Sequence, residues 1–333
     1  MKKALFICKK RLDSYGISFG LLNSATFVSN YLSKHGIESK VVQVIDNNNI
    51  DKEVKQYKPT HVFIEALWVV PQKFNILLPL YPNVEWIVRI HSKIPFLANE
   101  GIALDWLYQY EILSKTYKNF HISTNSERCF DDLKDIGIKN IYLPNIYSVN
   151  EQEKEKTNFI EKTLDVGCFG AIRPFKNHLT QAIAAIEFAE QFGLDLRFHI
   201  NATRTEQRGE RVLDNLRALF KNTGYKLIEH SWVCHKDFME VIRNLDIGMQ
   251  VSFSETFNIV TADCVYNNVP VVVSKEIEWL PFWTKANPNS SDSIRRIMAF
   301  NWIMKPFGLY KWNRTYLDRY NSKAGDIWLN YLR

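Results

Sequence analysis

Residues 251–274 constrain the fold of this chain more than any other stretch. They indicate the end of a buried strand, a polar turn, a helix and a second strand. Residues 269–273 have the unbroken, mostly β-branched character of a strand buried in a parallel sheet. The turn is rich in hydroxyl groups and carries Glu255, and Asp263 follows eight residues later. We therefore expect a helix that begins in this turn, binds anions at its N-terminus and carries both carboxylates on one face.

Strands alternate with helices of about a dozen residues along most of the chain, a pattern typical of parallel α/β sheets. The predicted strands are residues 3–8, 39–44, 60–64, 84–90, 120–124, 139–143, 164–169, 195–200, 226–228, 247–251 and 269–273. The predicted helices include residues 21–35, 126–136, 178–192, 208–223 and 236–244. This order predicts two Rossmann-like domains, at residues 1–147 and 163–305, whose strand ends would face each other across a cleft. Residues 148–162 are the predicted linker, and residues 306–333 a basic, aromatic C-terminal helix that packs back on the first domain.

The composition is that of a soluble globular protein, with 46% hydrophobic and 23% charged residues. The apolar run near the amino terminus extends only from Ala4 to Cys8, which is too short for a signal peptide or a membrane span. The five cysteines are scattered and form no CxxC pair, so we expect reduced thiols and a cytoplasmic location.

The net charge of +6 is concentrated in the C-terminal region. Residues 279–333 contain nine Lys and Arg but three Asp, so this region carries the whole excess, and aromatic residues are interleaved with the cations. This combination suits a phosphate-rich partner, either nucleic acid or an anionic membrane surface. The alternative is a helix that packs its aromatic residues inward and exposes its cations to water.

A glycine-containing loop follows the predicted strand 164–169 and precedes the predicted helix 178–192. It carries Gly170, Arg173 and Lys176, and the two cations are three residues apart near a helix start, where both could bind a diphosphate. Two cations in a loop often have no function. Here they belong to the same predicted sheet as Glu255 and Asp263, which favours a binding site.

Together, these residues and the strand 269–273 resemble the retaining glycosyltransferases of family 4, which have the GT-B fold. Residues 123–127, Gly137 and residues 143–145 look like the end of that family's first domain, and the resemblance extends from residue 3 to about residue 297. It implies a nucleotide-diphosphate sugar, most commonly a UDP-sugar, as the donor. No Asp-x-Asp motif stands where it would hold a metal ion, so we expect no essential metal cofactor.

The resemblance also implies roles for the C-terminal residues. Arg173 and Lys176 would neutralise the departing diphosphate, Glu255 would bind hydroxyls of the donor sugar, and Asp263 would bind the ribose hydroxyls. The backbone N–H groups of Thr256, Phe257 and Asn258 would assist Glu255. Three residues depart from the family pattern: Asp263 replaces a longer Glu, and Thr256 and Asn258 each replace a glycine.

In the first domain the resemblance implies three further site residues. Gly16 and Gly20, in a loop before the helix 21–35, would let the backbone approach donor or acceptor. His91 would lie beside the reacting sugar, as a positioning or polar-contact residue.

The acceptor is suggested by a separate likeness. Residues 60–105 are similar to glycosyltransferases of large tailed bacteriophages, which implies transfer to hydroxymethylated pyrimidines in phage DNA within the host cytoplasm. One alternative is transfer to a cell-surface glycan or a lipid-linked sugar. Another is a non-catalytic module that binds nucleotide sugars or nucleic acid. The oligomeric state stays open.

Overall fold

The chain forms two compact units in a computed structural model that describes residues 2–10, 19–149 and 162–333. The first unit comprises Met1–Val149 and Tyr320–Arg333, and the second comprises Asn150–Arg319. Residues 306–319 therefore belong to the second unit, and the C-terminal segment is shared between the two. Gly16 and most of the predicted linker lie outside the described residues.

A six-stranded parallel sheet forms the centre of the first unit, in the order β2-β1-β3-β4-β5-β6. Its strands are β1 (Lys3–Lys9), β2 (Glu38–Val44), β3 (His61–Glu65), β4 (Glu85–Ile90), β5 (Phe120–Thr124) and β6 (Ile141–Tyr142). Its helices are α1 (Phe19–Lys34), α2 (Asn49–Tyr57), α3 (Pro71–Leu80), α4 (Ile94–Leu97), α5 (Ala103–Thr116) and α6 (Glu127–Asp135). The central strands are apolar and buried because helices cover both faces of a parallel sheet.

All six strands predicted for this unit are present, and no strand end is shifted by more than two residues. One prediction about its first loop is wrong. The first helix begins at Phe19 rather than residue 21, so Gly20 lies in the first helical turn and not in the preceding loop. No atom lies within 4 Å of a Cβ placed on Gly20, so crowding does not require a glycine at this position.

The second unit contains another six-stranded parallel sheet, in the order β12-β11-β10-β7-β8-β9. Its strands are β7 (Thr163–Gly167), β8 (Asp195–Asn201), β9 (Lys226–His230), β10 (Ile247–Gln250), β11 (Val271–Ser274) and β12 (Lys285–Ala286). The helices that follow are α7 (His178–Phe192), α8 (Gly209–Lys221), α9 (His235–Arg243), α10 (Ile259–Tyr266), α11 (Ser291–Met304) and α12 (Trp312–Leu332). Two Rossmann-like domains with parallel sheets are therefore present, as predicted.

The strand order of the second sheet creates a defined crevice. From β7 the chain proceeds outward to β8 and β9, then returns to place β10 on the other side of β7 and continues to β11 and β12. The loops after β7 and β10 consequently diverge from neighbouring strand ends. Ligands of open α/β sheets bind at such topological switch points, outside the carboxyl ends of the strands.

The last turns of α12 form part of the core of the first unit. Trp328 is fully buried and packs against Phe6 and Phe63, and its indole Nε1–H donates to the carbonyl of Pro144 at 2.7 Å. Across the described ranges, no helix has both the length and the apolar character needed to cross a membrane.

Candidate functional site

The loop after β7 brings Lys176 back beneath Gly170. Gly170 has φ +120°, and a Cβ at this position would lie 3.3 Å from Cε of Lys176. A side chain would therefore be strained by the backbone conformation and would also crowd the lysine. The backbone conformation of this loop therefore requires the glycine that was predicted there.

Lys176 forms a buried ion pair with Glu255, which lies in the loop after β10. Its Nζ is 2.5 Å from Oε1 of Glu255, and the two side chains are 10% and 9% exposed. The ammonium group also donates to Oε1 of Gln250 at 3.2 Å. The structure thus joins two residues that were predicted separately, and it joins them at the switch point between β7 and β10.

The charges of this cluster are set by its cations. Burial disfavours the ionised form of Glu255, but Lys176 and then Arg173 outweigh burial and lower the pKa of its carboxyl group. His178 is also fully buried, and burial together with the same two cations lowers the pKa of its imidazole to about 3. At neutral pH the cluster therefore holds an ionised Glu255, a neutral His178 and the two cations.

The helix after Glu255 begins later than predicted. Its N-cap is Asn258, whose Oδ1 accepts from the N–H of Thr261 at 2.9 Å, and α10 starts at Ile259. Glu255 therefore lies in the turn before the helix, and the expectation that it shares a helix face with Asp263 is wrong. The physical reason is the backbone of Asn258, whose φ of 59° cannot continue a helical turn.

Asn258 and Gln250 form a hydrogen-bonded series that ends at Lys176. The Nδ2–H of Asn258 donates to Oε1 of Gln250 at 2.9 Å, and the Nε2–H of Gln250 donates to the carbonyl of Phe169 at 2.8 Å. Sequence analysis did not identify Gln250, because a polar residue at a strand end carries no motif. Asparagine in place of glycine is explained, since it tolerates a left-handed backbone while adding a cap and a hydrogen bond.

The two residues between Glu255 and Asn258 are held by packing. Phe257 is buried and stacks on Trp279 with ring centroids 5.5 Å apart, and the indole Nε1–H of Trp279 donates to the carbonyl of Phe257 at 2.8 Å. Thr256 is half-buried beside it. This packing fixes the backbone of the turn.

Arg173 is held by an acid that sequence analysis missed. Its Nη1–H donates to Oε2 of Glu206 at 3.0 Å, and Glu206 also binds Arg204. The backbone N–H of Glu206 donates to the carbonyl of Ile172 at 2.9 Å, so the loop 203–208 lies alongside the loop that carries Arg173. Gly209 permits this approach because a Cβ there would lie 1.9 Å from the carbonyl oxygen of Ile172.

Asp263 is more deeply buried than its predicted role requires. Only 1% of its side chain is exposed, and its Oδ1 lies 2.8 Å from Nε2 of His235, the first residue of α9. A carboxylate oxygen accepts hydrogen bonds, so the imidazole is assigned as the donor in this pair. His235 was not predicted as a site residue, since the residues around the start of α9 form no recognisable motif.

A buried polar cluster lies at the carboxyl edge of the first sheet, where β3, β4, β5 and β6 end. Arg89 is fully buried and donates to Oε2 of Glu65 at 3.0 Å and to Oδ1 of Asn145. His91 places Nε2 against the same Glu65 oxygen and Nδ1 3.3 Å from the amide nitrogen of Asn125. His91 therefore belongs to a network that neighbouring strands build together.

The network also sets the protonation of His91. Burial lowers the pKa of its imidazole, and the Arg89 guanidinium adds to this effect, while Glu65 opposes it. Burial disfavours the ionised form of Glu65, but the charge of Arg89 and the hydrogen bond from His91 together lower the pKa of its carboxyl group. A neutral ring donates from Nε2 to Glu65 and accepts at Nδ1 from Asn125, so both of its nitrogens are directed at protein groups.

The predicted site residues thus fall into two groups. Lys176 and Glu255 meet at the switch point of the second unit, near Arg173 and residues 256–258, and Asp263 lies within α10 beside His235. His91 belongs to the first unit, as does Gly20 within α1. In the part of the chain that the structure describes, no three His, Cys, Asp or Glu side chains gather as a metal ion would require.

Sequence comparisons identify no relative: no protein-family model and no curated protein matches the chain. Solved structures do match. Anabaena HepE in complex with UDP-glucose is 11% identical, with a TM-score of 0.66 over 98% of this chain and 99% of that chain. A UDP-forming α,α-trehalose-phosphate synthase from Burkholderia xenovorans is 11% identical, with a TM-score of 0.67 over 100% and 99%.

An E. coli trehalose-6-phosphate protein bound with UDP-2-fluoro glucose gives the same picture, at 10% identity and a TM-score of 0.67 over 99% of each chain. At such low identity the likeness establishes the fold alone. These matches extend over nearly the full length of the chain, and they agree with the strand orders of both sheets. The chain therefore has the GT-B fold, with two Rossmann-like domains.

Proposed function

We propose that this protein is a glycosyltransferase that moves a sugar from a nucleotide-diphosphate sugar, with retention of anomeric configuration, to a hydroxyl acceptor. The observation that carries the proposal is the buried pair of Lys176 and Glu255 at the switch point of the second sheet. A buried ion pair is costly to desolvate and is weak evidence for stability. Its place at the ligand-binding edge favours a functional reason for it.

The pair supplies the two kinds of group that a sugar-diphosphate needs. When the bond between the sugar and the diphosphate breaks, negative charge develops on the departing phosphate oxygen. Fixed cations at Lys176 and Arg173 would stabilise that charge in the transition state. In this proposal they perform the neutralisation without a metal cofactor.

Glu255 is suited to holding the sugar rather than to removing a proton. Its lowered pKa keeps it ionised, which makes it a weak base and a good acceptor of hydrogen bonds from hydroxyl groups. We assign it the hydroxyls of the donor sugar, with the rigid turn of Thr256, Phe257 and Asn258 alongside it. The positioning role predicted for His91 is part of the same proposal.

The solved structures of similar fold support the class of donor. HepE was determined with UDP-glucose and the E. coli protein with UDP-2-fluoro glucose, and the Burkholderia enzyme forms UDP. We therefore propose that this protein uses a UDP-sugar as its donor. GDP- and ADP-sugars are the alternative donors in the test described below.

For the acceptor we propose a hydroxymethylated pyrimidine in DNA, supported by the basic charge of residues 279–333. Large aromatic side chains are also exposed in this region, at Phe282, Phe307 and Trp312. A specific observation favours a second candidate, a lipid-linked sugar or surface glycan. Phe300 and Ile303 of α11 are exposed beside Phe307, and such an apolar face with nearby cations suits a membrane interface.

The test measures transfer of a labelled sugar from UDP-, GDP- and ADP-sugars to hydroxymethylated duplex DNA and, in parallel, to lipid and glycan extracts. We expect label in DNA; label in lipid or glycan alone would replace the first acceptor by the second.

A variant tests the role of Glu255. Glu255→Gln should lower turnover at least a hundredfold while nucleoside diphosphate still binds. Glu190→Gln, at an exposed position, is the matched control. Unchanged turnover in Glu255→Gln would remove Glu255 from the site, and binding without turnover on every acceptor would favour a non-catalytic module.

A further inference from the structure

We propose that His235, rather than Asp263, is the side chain through which the second unit contacts the ribose hydroxyls of the nucleotide. Asp263 then acts as a positioning residue that holds the imidazole from behind. This inference rests on the proposed function, and it assigns a specificity-determining residue within that site.

Burial decides between the two side chains. Asp263 is 1% exposed, whereas the His235 ring is 18% exposed and covers one of the carboxylate oxygens at 2.8 Å. A ligand that reaches this edge from solvent therefore meets the imidazole before the carboxylate. A direct bond from ribose to Oδ1 of Asp263 would compete with His235 for that oxygen.

The pair lies at the same edge as Lys176. His235 is the first residue of α9, and Phe238 of the same helix packs edge-on against Phe169, with ring centroids 5.1 Å apart. The carbonyl of Phe169 accepts from Gln250, and Gln250 binds Lys176. The structure thus links His235 to the proposed diphosphate site through a short series of packed and hydrogen-bonded residues.

The chemistry of the pair suits a hydroxyl ligand. A buried carboxylate that accepts from Nε2–H fixes the tautomer and the orientation of an imidazole, as the supporting carboxylates of metal-bound and catalytic histidines do. The edge of the ring that carries Nδ1 then lies away from Asp263, and in this proposal that edge forms the hydrogen bond to a ribose hydroxyl. Because Asp263 is short and buried, the imidazole extends the polar surface outward to where a ribose can reach it.

The test compares ribonucleotide with 2′-deoxyribonucleotide affinity. Isothermal titration calorimetry is performed with UDP, GDP and ADP and their 2′-deoxy forms, and the nucleotide that the wild type binds is then used for the variants. One hydrogen bond to the 2′-hydroxyl should give the wild type a preference of roughly threefold to tenfold for the ribose form.

We expect His235→Ala to abolish this preference and Asp263→Asn to reduce it. The double variant should show no further loss beyond His235→Ala, because Asp263 acts through the imidazole. The matched control is His121→Ala, which removes the histidine of a surface histidine–carboxylate pair with Glu85 in the first unit and should leave the preference unchanged. Urea unfolding of each variant verifies that the fold is retained, and His235→Phe preserves the ring volume if the alanine variant unfolds.

Three results would overturn the inference. If His235→Ala and His235→Phe both keep the full preference for the ribonucleotide while Asp263→Asn loses it, the ribose contact belongs to Asp263. A wild type that binds UDP and 2′-deoxy-UDP equally would exclude a 2′-hydroxyl contact at this pair while leaving the proposed function intact. Failure of the wild type to bind any of the three nucleotides would overturn the proposed function together with this inference.

Discussion

Lys176 and Glu255 form a buried ion pair, with Nζ of the lysine 2.5 Å from Oε1 of the glutamate, although they lie in loops that follow different strands. The strand order brings these loops together, because β7 and β10 are neighbours in the sheet. Each residue stabilises the charge of the other in a place that water barely reaches. The pair therefore holds a cation and an anion together at the carboxyl edge of the second sheet, where we propose that the donor binds.

Removal of the lysine should alter how stability depends on pH. In the wild type the pKa of Glu255 lies below its ordinary value of 4.5, so its ionisation stabilises the fold above about pH 4.5 and this contribution is lost as the pH falls further. In Lys176→Met burial acts on Glu255 with less opposition and raises its pKa, so ionisation at neutral pH becomes a cost.

We expect Lys176→Met to lower the free energy of unfolding by about 3 kcal/mol at pH 7 and by clearly less at pH 4, as measured by urea denaturation. Arg173 remains nearby and limits the loss. An equal loss at both pH values would mean that the charge of Glu255 does not depend on Lys176.

Asn258 should tolerate glycine better than alanine. Its φ of 59° favours glycine over other residues, while its side chain caps α10 and binds Gln250. Asn258→Ala loses both hydrogen bonds and adds backbone strain, so we expect a loss of about 2 kcal/mol in the free energy of unfolding. Asn258→Gly should lose about 1 kcal/mol or less. An alanine variant at least as stable as the glycine variant in urea would contradict this backbone conformation.

Gly209→Ala should disturb the partner of Arg173. A Cβ at this position would lie 1.9 Å from the carbonyl of Ile172 and would force the loop 203–208 away, whereas no atom lies within 4 Å of a Cβ on Gly224. We expect Gly209→Ala to cost about 1–3 kcal/mol and to weaken nucleotide binding, and Gly224→Ala to change neither. Urea denaturation and calorimetry measure the two effects, and indistinguishable variants would refute the close approach.

Arg89 should not be replaceable by lysine. Its guanidinium donates from Nε to Leu143, from Nη1 to Glu65 and from Nη2 to Pro144, an arrangement that a single ammonium group cannot reproduce. We expect Arg89→Lys to lower the free energy of unfolding by roughly 3 kcal/mol. Arg296→Lys, at a side chain that is 71% exposed, should change it by less than about 0.5 kcal/mol in the same urea titration. Similar values for the two variants would show that the buried network contributes little.

Several strands and helices were predictable because the spacing of their apolar residues is a strong local signal. Residues 178–192 form α7 as predicted, and β5 matches its predicted bounds, since apolar spacing and flanking glycines or polar residues mark these elements in the sequence. The helices α3 and α5 were not predicted. Exposed apolar residues on α5, such as Tyr108 and Ile112, blur the helical periodicity on which a prediction depends.

The candidate site was only partly predictable, for a different reason. Lys176 and Glu255 follow a pattern in the sequence, but Glu206, Gln250 and His235 acquire their roles from strand order and loop packing. The spacing between Glu255 and Asp263 also led to a wrong prediction, that both carboxylates lie on one helix face. Eight residues separate Glu255 from Asp263, yet the helix begins between them, and its start depends on the backbone of Asn258.

Calorimetric titration of UDP into the wild type and into Lys176→Met tests the central claim most directly. We predict that the wild type binds UDP and that folded Lys176→Met, verified by circular dichroism, binds it at least tenfold more weakly, because the diphosphate loses a fixed cation. Lys226→Met, at an exposed position on β9, should bind as the wild type does. Equal affinity in Lys176→Met and the wild type, or no binding of UDP, GDP or ADP by the wild type, would contradict a nucleotide-sugar site at this switch point.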